Sequence, residues 1–174
     1  MKESGDFKRP GAGAYICKIT AVEDLPKKEY LKVTYDIAEG EFAGYYVEGR
    51  KNNPDWEWFG VYTKSYKETA LGMFKRFCSA VSSSNGKYVF DGGSVNSDEN
   101  TLVGKKIGLN FGEEEYYGND GELKTRLRVV SEFPIDKIND QKVPALKKIK
   151  EATTTKPDSD GFLKAGSDAD VPFI

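Results

Sequence analysis

The sequence contains no histidine and only two cysteines among its 174 residues. Without histidine, Ser-His-Asp and Cys-His catalysis and the common zinc and non-haem iron sites are excluded. Cys17 and Cys78 lie far apart, at neither disulfide-framework nor metal-ligand spacing, so we expect two buried free thiols. These absences argue against an enzyme, and we expect no cofactor and no metal.

Long apolar runs are also missing. No segment approaches the ~20 apolar residues that a membrane-spanning helix needs. The first ten residues lack the apolar stretch and small-residue cleavage site of a secretory signal. We therefore expect a cytoplasmic protein without a membrane partner, with one ordinary domain and some length left for flexible ends.

Histidine aside, the chain has little excess of either charge, with 26 basic and 28 acidic residues, but the charges are unevenly distributed. The formal net charge is −2, and residues 151–174 carry −3, which leaves +1 on residues 1–150. A nearly neutral domain can still bind a polyanion when its cations share one face, because the local potential decides the contact.

Apolar periodicity predicts five strands and one helix. In the first strand we expect Ala21 to face the core together with Cys17 and Ile19. A helical spacing of apolar residues from Tyr66 to about Ser82 predicts one amphipathic helix. The strands are predicted at Ala14–Val22, Glu29–Ile37, an interrupted third strand from Phe42–Glu48 into Trp56–Tyr62, Lys105–Phe111, and Glu122–Val130, with a hairpin turn at Gly118–Gly121.

This order is that of an OB fold, an all-β, five-stranded Greek-key barrel with a helix between strands three and four. A small open sheet with a covering helix has the same order. We expect a flexible N-terminal arm at residues 1–13, the OB-fold domain at 14–145, and a disordered acidic tail at 146–174, because the tail has little to bury.

Basic and aromatic residues alternate on the strand positions expected to face outward. Aromatic rings stack on unpaired bases while lysine and arginine follow the phosphates, which is the chemistry of sequence-tolerant single-strand binding. For any one residue, core packing or protection of a strand edge is the simpler role, and only the collective pattern favours nucleic acid. The candidate nucleic-acid contacts are Tyr30, Lys32, Tyr46, Arg50, Lys51, Trp56, Trp58, Lys124, Arg126 and Arg128.

The C-terminus carries a short apolar tip after acidic residues. A polar tail has no structural need for such a tip, so a partner pocket explains it best. The tip resembles the Asp-Asp-Asp-Ile-Pro-Phe ending of bacterial single-stranded DNA-binding proteins, although Ile174 follows the phenylalanine here. The resemblance implies a docking peptide for replication or recombination proteins, formed by Asp168, Asp170, Val171, Pro172 and Phe173.

The body is similar to a family of phage proteins encoded near single-strand annealing recombinases. The likeness lies in Tyr30–Val33, Tyr35–Gly40 and Gly118–Gly121. It implies a single-stranded DNA-binding protein of bacteriophage DNA replication and recombination, acting in the cytoplasm of a bacterial host.

Two other function classes stay open. One is a protein-interaction adaptor with a β-barrel body and no nucleic-acid activity. The other is a metal-dependent nuclease using Glu113–Glu115, but consecutive strand residues point to opposite faces and no second acidic cluster is spaced to converge with them. An exposed strand edge would also allow a homodimer.

Overall fold

The structure is a computed structural model that describes residues 8–91 and 98–149, and it is mostly β. Five strands form one sheet in the order β3-β2-β1-β4-β5. The strands are β1 (Gly13–Leu25), β2 (Tyr30–Ile37), β3 (Val61–Ser65), β4 (Lys106–Tyr117) and β5 (Leu123–Phe133), and within the described ranges the α-helices are α1 (Tyr45–Asn52) and α2 (Leu71–Ser83). Short 3-10 helices cover Glu68–Ala70, Glu99–Leu102 and Ile135–Asp140. The predicted helix between the third and fourth strands is confirmed as α2.

The chain divides into two compact units. The first comprises Met1–Glu113 and Leu127–Ala145, and the second comprises Glu114–Arg126 and Leu146–Ile174. The first unit contains β1, β2, β3, both α-helices and the core, and the second contains the β4–β5 hairpin end.

The core of the first unit follows from strict alternation in β2. Leu31, Val33, Tyr35 and Ile37 are all buried, so every second side chain of this strand points inward. They pack with the buried face of α2, which contributes Phe74, Phe77, Cys78 and Val81. Both cysteines are free and buried, as predicted, and burial raises the pKa of the Cys78 thiol to about 11.

A β-bulge at Thr20 interrupts the alternation of β1. Ile19 lies opposite Tyr35 and Ala21 lies opposite Thr34. Thr20, between them, therefore has no partner residue in β2. Its hydroxyl donates to the carbonyl oxygen of Thr34 at 3.3 Å. The expected inward position of Ala21 is therefore wrong: Ala21 is exposed, and Val22 faces the core instead.

The predicted first part of the third strand is a helix. Residues 41–44 form a turn that ends at Gly44, whose φ of +85° is left-handed, and α1 begins at the next residue. The buried carboxylate of Asp36 accepts hydrogen bonds from the N–H groups of Ile37 and Tyr46, each at 2.9 Å. The second bond satisfies one of the orphan donors at the start of α1. The composition of residues 42–48 is typical of a strand, and it gives no sign that the carboxylate of Asp36 accepts a hydrogen bond from Tyr46.

Side chains join the two edge strands of the sheet. Glu132 of β5 accepts a hydrogen bond from the Tyr62 hydroxyl of β3 at 2.8 Å, and its carboxylate lies 2.9 Å from the Lys64 ammonium. The side chains of Glu132 and Lys64 are only 3% and 12% exposed. We call Tyr62, Lys64 and Glu132 the buried seam, and it brings β3 and β5 together at the ends of the strand order.

Glycine at position 108 allows β4 and Phe133 to approach closely. A Cβ atom built on Gly108 would lie 2.6 Å from the carbonyl oxygen of Phe133, a backbone atom that cannot rotate away. We expect Gly108→Ala to lower the free energy of unfolding by about 1–3 kcal/mol, as other overpacked sites do. Urea unfolding followed by circular dichroism measures this loss.

A matched control is Gly72→Ala in α2. A Cβ atom there meets nothing within 4 Å, and alanine favours helix, so stability should rise by up to about 1 kcal/mol. Equal stability of Gly108→Ala and the parent would contradict the close approach.

Candidate nucleic-acid interface

Lys32 and Trp58 lie together on the outer face of the sheet. The Lys32 ammonium is 4.7 Å from the centroid of the Trp58 ring, a cation–π contact. Trp58 is 53% exposed, so much of its indole surface contacts solvent. On the neighbouring strands Lys32 lies opposite Glu23 and Thr63. Among residues 8–91 and 98–149, no carboxylate forms a salt bridge with Lys32.

The turn that carries Trp58 is held in place by Arg50. Its guanidinium donates to the carbonyl oxygen of Phe59 at 2.8 Å and to that of Tyr35 at 3.5 Å. The Asn53 amide also donates to the Gly49 carbonyl at 3.0 Å, which fixes the end of α1. Arg50 was predicted to contact nucleic acid, but in the structure its guanidinium donates hydrogen bonds to backbone carbonyls. It positions the aromatic turn.

Trp56 extends a chain of aromatic contacts from the core to the surface. Its ring packs edge-on against Phe59 with centroids 5.0 Å apart, and Phe59 packs on Tyr46 at 4.9 Å. Trp56 is 49% exposed, so one end of this chain is open to a further ring. Such a supported, rigid ring is well suited to stacking.

Tyr30 lies at the start of β2, after a short turn that carries two lysines. The Lys28 ammonium is 6.0 Å from the centroid of the half-buried Tyr30 ring. Lys27 is exposed in the same turn. Sequence reasoning missed Lys27 and Lys28, although Pro26 beside them already marked a turn. We call Tyr30, Lys32, Trp56 and Trp58 the indole platform.

Charges around the indole platform nearly balance. Exposed lysines at positions 27, 28 and 51 are offset by exposed acidic residues at positions 23, 29, 55 and 57. Stacking is therefore the main interaction that the platform can offer, with phosphate attraction as a smaller addition.

Tyr46 does not belong to the surface. It is 5% exposed and packs among Tyr35, Phe59 and Phe111. Burial is the main reason why the pKa of the Tyr46 hydroxyl lies far above the ordinary value of a tyrosine. The prediction that Tyr46 stacks on a base is replaced by a core role.

In the second unit, the basic residues of β5 are paired with carboxylates. Arg126 donates two hydrogen bonds to Glu114, at 2.8 and 3.1 Å, and its guanidinium lies 4.8 Å from the centroid of Tyr116. Lys124 lies 3.4 Å from Asp120. The Lys124–Asp120 pair is about half exposed and hence weak, whereas the Glu114 side chain is only 19% exposed. Both pairs reduce the positive potential that the sequence pattern predicted. In the first unit, Arg128 is exposed on β5.

Residues 146–149, the first four of the predicted tail, include two that form hydrogen bonds within the second unit. The backbone N–H of Glu115 donates to the Lys147 carbonyl at 2.9 Å, and the Ile149 N–H donates to the Glu115 carboxylate at 3.1 Å. The docking tip at Asp168, Asp170, Val171, Pro172 and Phe173 lies outside the described residues, as does most of the predicted N-terminal arm.

The acidic run at Glu113–Glu115 has structural partners. Glu114 pairs with Arg126 and lies 3.9 Å from Lys147, and Glu115 binds the Ile149 N–H. In the described part of the chain, no three histidine, cysteine or acidic residues are grouped so as to hold a metal ion. The same residues include no helix long and apolar enough to cross a membrane.

No protein-family model and no curated protein matches the chain.

Proposed function

We propose that the chain is a single-stranded DNA-binding protein in which the indole platform stacks on unpaired bases. The observation that carries the proposal is the Lys32–Trp58 contact, which places a cation and a half-exposed indole on one sheet face. Every base has a π-face, so such a platform binds without sequence preference.

We infer that the curled sheet is an OB barrel. The strand order is that of a five-stranded barrel opened between β3 and β5, α2 follows β3, and the buried seam links those two strands. OB folds bind oligonucleotides on the face of strands two and three and with the loop between strands one and two. Tyr30, Lys32 and the turn with Lys28 occupy those positions.

The resemblance to phage proteins and the acidic, phenylalanine-bearing terminus support a place in phage replication or recombination. In this proposal the platform holds the DNA, and the tip recruits another protein of the same process. Neither step forms or breaks a covalent bond, so no enzyme activity is proposed.

Intrinsic fluorescence tests DNA binding directly, because Trp56 and Trp58 are the two tryptophans of the whole sequence. We expect poly-dT to quench the emission and a duplex of equal length to leave it nearly unchanged. Raising the salt concentration should weaken binding only moderately, because charges around the platform nearly balance. A folded protein whose emission ignores poly-dT at low salt would contradict the proposal and favour the protein-interaction adaptor.

A further inference from the structure

A second cationic surface lies in the first unit, where β1 and β4 begin to pair. Lys18 of β1 lies directly opposite Lys106 of β4. Like charges at opposed positions of two strands repel one another. On the other side of β1, Asp36 lies opposite Lys18, so one carboxylate stands beside this pair of lysines.

Two more lysines belong to this surface. The Lys105 ammonium is 4.5 Å from the centroid of the Tyr88 ring, and Lys87 is exposed in the turn just before Tyr88. Asn85 fixes this turn to β4, because its amide donates to the Lys106 carbonyl at 2.8 Å and accepts from the Lys106 N–H at 2.9 Å. We call Lys18, Lys87, Lys105 and Lys106 the lysine patch.

The lysine patch is only partly neutralised. Glu39 lies 3.2 Å from Lys106, and both side chains are about half exposed, so this pair is weak. Within the described parts of the chain, Lys18, Lys87 and Lys105 have no salt-bridge partner. Three lysines of the patch thus stay outside salt bridges, although Asp36 lies opposite Lys18 and the charge of Asp98 acts on Tyr88 beside Lys105.

Two lysines of the patch, Lys18 and Lys106, share one face of the sheet with Lys32. Lys18 lies opposite Asp36, and Lys32 is on the same strand at the same alternation. Four residues separate Lys32 from Asp36, which is roughly 13 Å at about 3.3 Å per residue. One single-stranded chain of several nucleotides could therefore contact both surfaces.

We propose that the lysine patch is a second contact site for single-stranded nucleic acid, binding the phosphodiester backbone of nucleotides beyond those stacked on the indole platform. The inference rests on the proposed function and adds to it that bases and phosphates are bound at two different surfaces. Rings bind the bases at one place, and ammonium groups bind the phosphates at another.

Oligonucleotide length separates the two sites. In the full chain, we would titrate oligo-dT of about 4 and about 16 nucleotides, the range that single OB folds cover. For Lys18→Gln/Lys87→Gln we expect the longer oligonucleotide to bind about 5- to 10-fold more weakly and the shorter one to bind unchanged. The slope of log K against log salt for the longer oligonucleotide should fall by about 1.4, because two phosphate contacts are lost.

Two further variants test whether the effect belongs to the lysine patch. Lys87→Gln/Lys105→Gln alters the patch without changing β1, and it should show the same pattern. Lys67→Gln/Lys75→Gln removes the same charge from other exposed positions, and it should bind both oligonucleotides as the parent does.

Each outcome has a distinct meaning. Unchanged affinity of both patch variants for the longer oligonucleotide, or an equal loss in the control, overturns the second site and leaves the platform standing. If the parent binds neither oligonucleotide, the proposed function fails and this inference fails with it. If polyglutamate binds the patch more tightly than the longer oligonucleotide does, the ligand is an acidic protein, which also overturns the assignment.

Discussion

Glu132→Ala is expected to lower the free energy of unfolding by about 3–5 kcal/mol, the effect of removing one partner from a buried ion pair. The substitution leaves the Lys64 ammonium, 12% exposed, without its counter-charge. It also leaves the Tyr62 hydroxyl without its acceptor, since that hydroxyl donates to the same oxygen. In the parent, burial first and the charge of Glu132 second raise the pKa of Tyr62 well above its ordinary value, so its hydroxyl is the donor in this hydrogen bond.

Urea unfolding followed by far-UV circular dichroism measures the effect. Glu122→Ala, at an exposed turn position, is the matched control and should change stability by less than about 0.5 kcal/mol. Lys64→Met/Glu132→Leu removes both charges and should recover most of the loss, because apolar replacements of a buried pair are often neutral. If Glu132→Ala were as stable as Glu122→Ala, the buried seam would contribute nothing to the stability of the fold.

Trp58→Ala is expected to weaken binding of single-stranded DNA by about 10- to 100-fold, because one stacked base contributes about 1–3 kcal/mol. The side chain is half exposed, so the fold should lose little stability. Trp58→Phe keeps an aromatic face and should retain most of the affinity.

Fluorescence anisotropy of a labelled oligo-dT measures this affinity independently of the tryptophan signal. Met73→Ala is the control, since Met73 is a similarly exposed apolar side chain on α2. Equal affinity of Trp58→Ala and the parent would remove the indole platform from the binding site.

The sequence was most informative where apolar periodicity alone decides burial. The alternation of β2 and the helical spacing of α2 predicted both elements, because each buries one continuous face. The start of α1 was missed because it depends on Gly44 and on Asp36, whose carboxylate reaches Tyr46 from another element. Local composition does not encode such a contact.

The candidate site was predictable as a set of residue types but not as a geometry. Lys32 and Trp58 were both named from their pattern, and they lie in contact. Tyr46 and Arg50 fit the same pattern, but tertiary packing turned one into core and the other into a positioning residue. The lysine patch depends on the pairing of β1 with β4, two strands far apart in the sequence with no hairpin turn between them, so no local pattern identified Lys106 as the partner of Lys18.

The bulge at Thr20 has a consequence for the curvature of the sheet. If Thr20 were deleted, every other side chain of β1 would stay on the face of the sheet where it lies now. Ile19 and Ala21 already pair with adjacent residues of β2 and lie on opposite faces. What Thr20 supplies is a local bend and extra twist, as bulges do. The bend comes where β1 stops pairing with β4 and continues along β2 alone. The extra residue Thr20 thus contributes to the curvature of the sheet. That curvature in turn affects whether Glu132 of β5 can contact Tyr62 and Lys64 of β3.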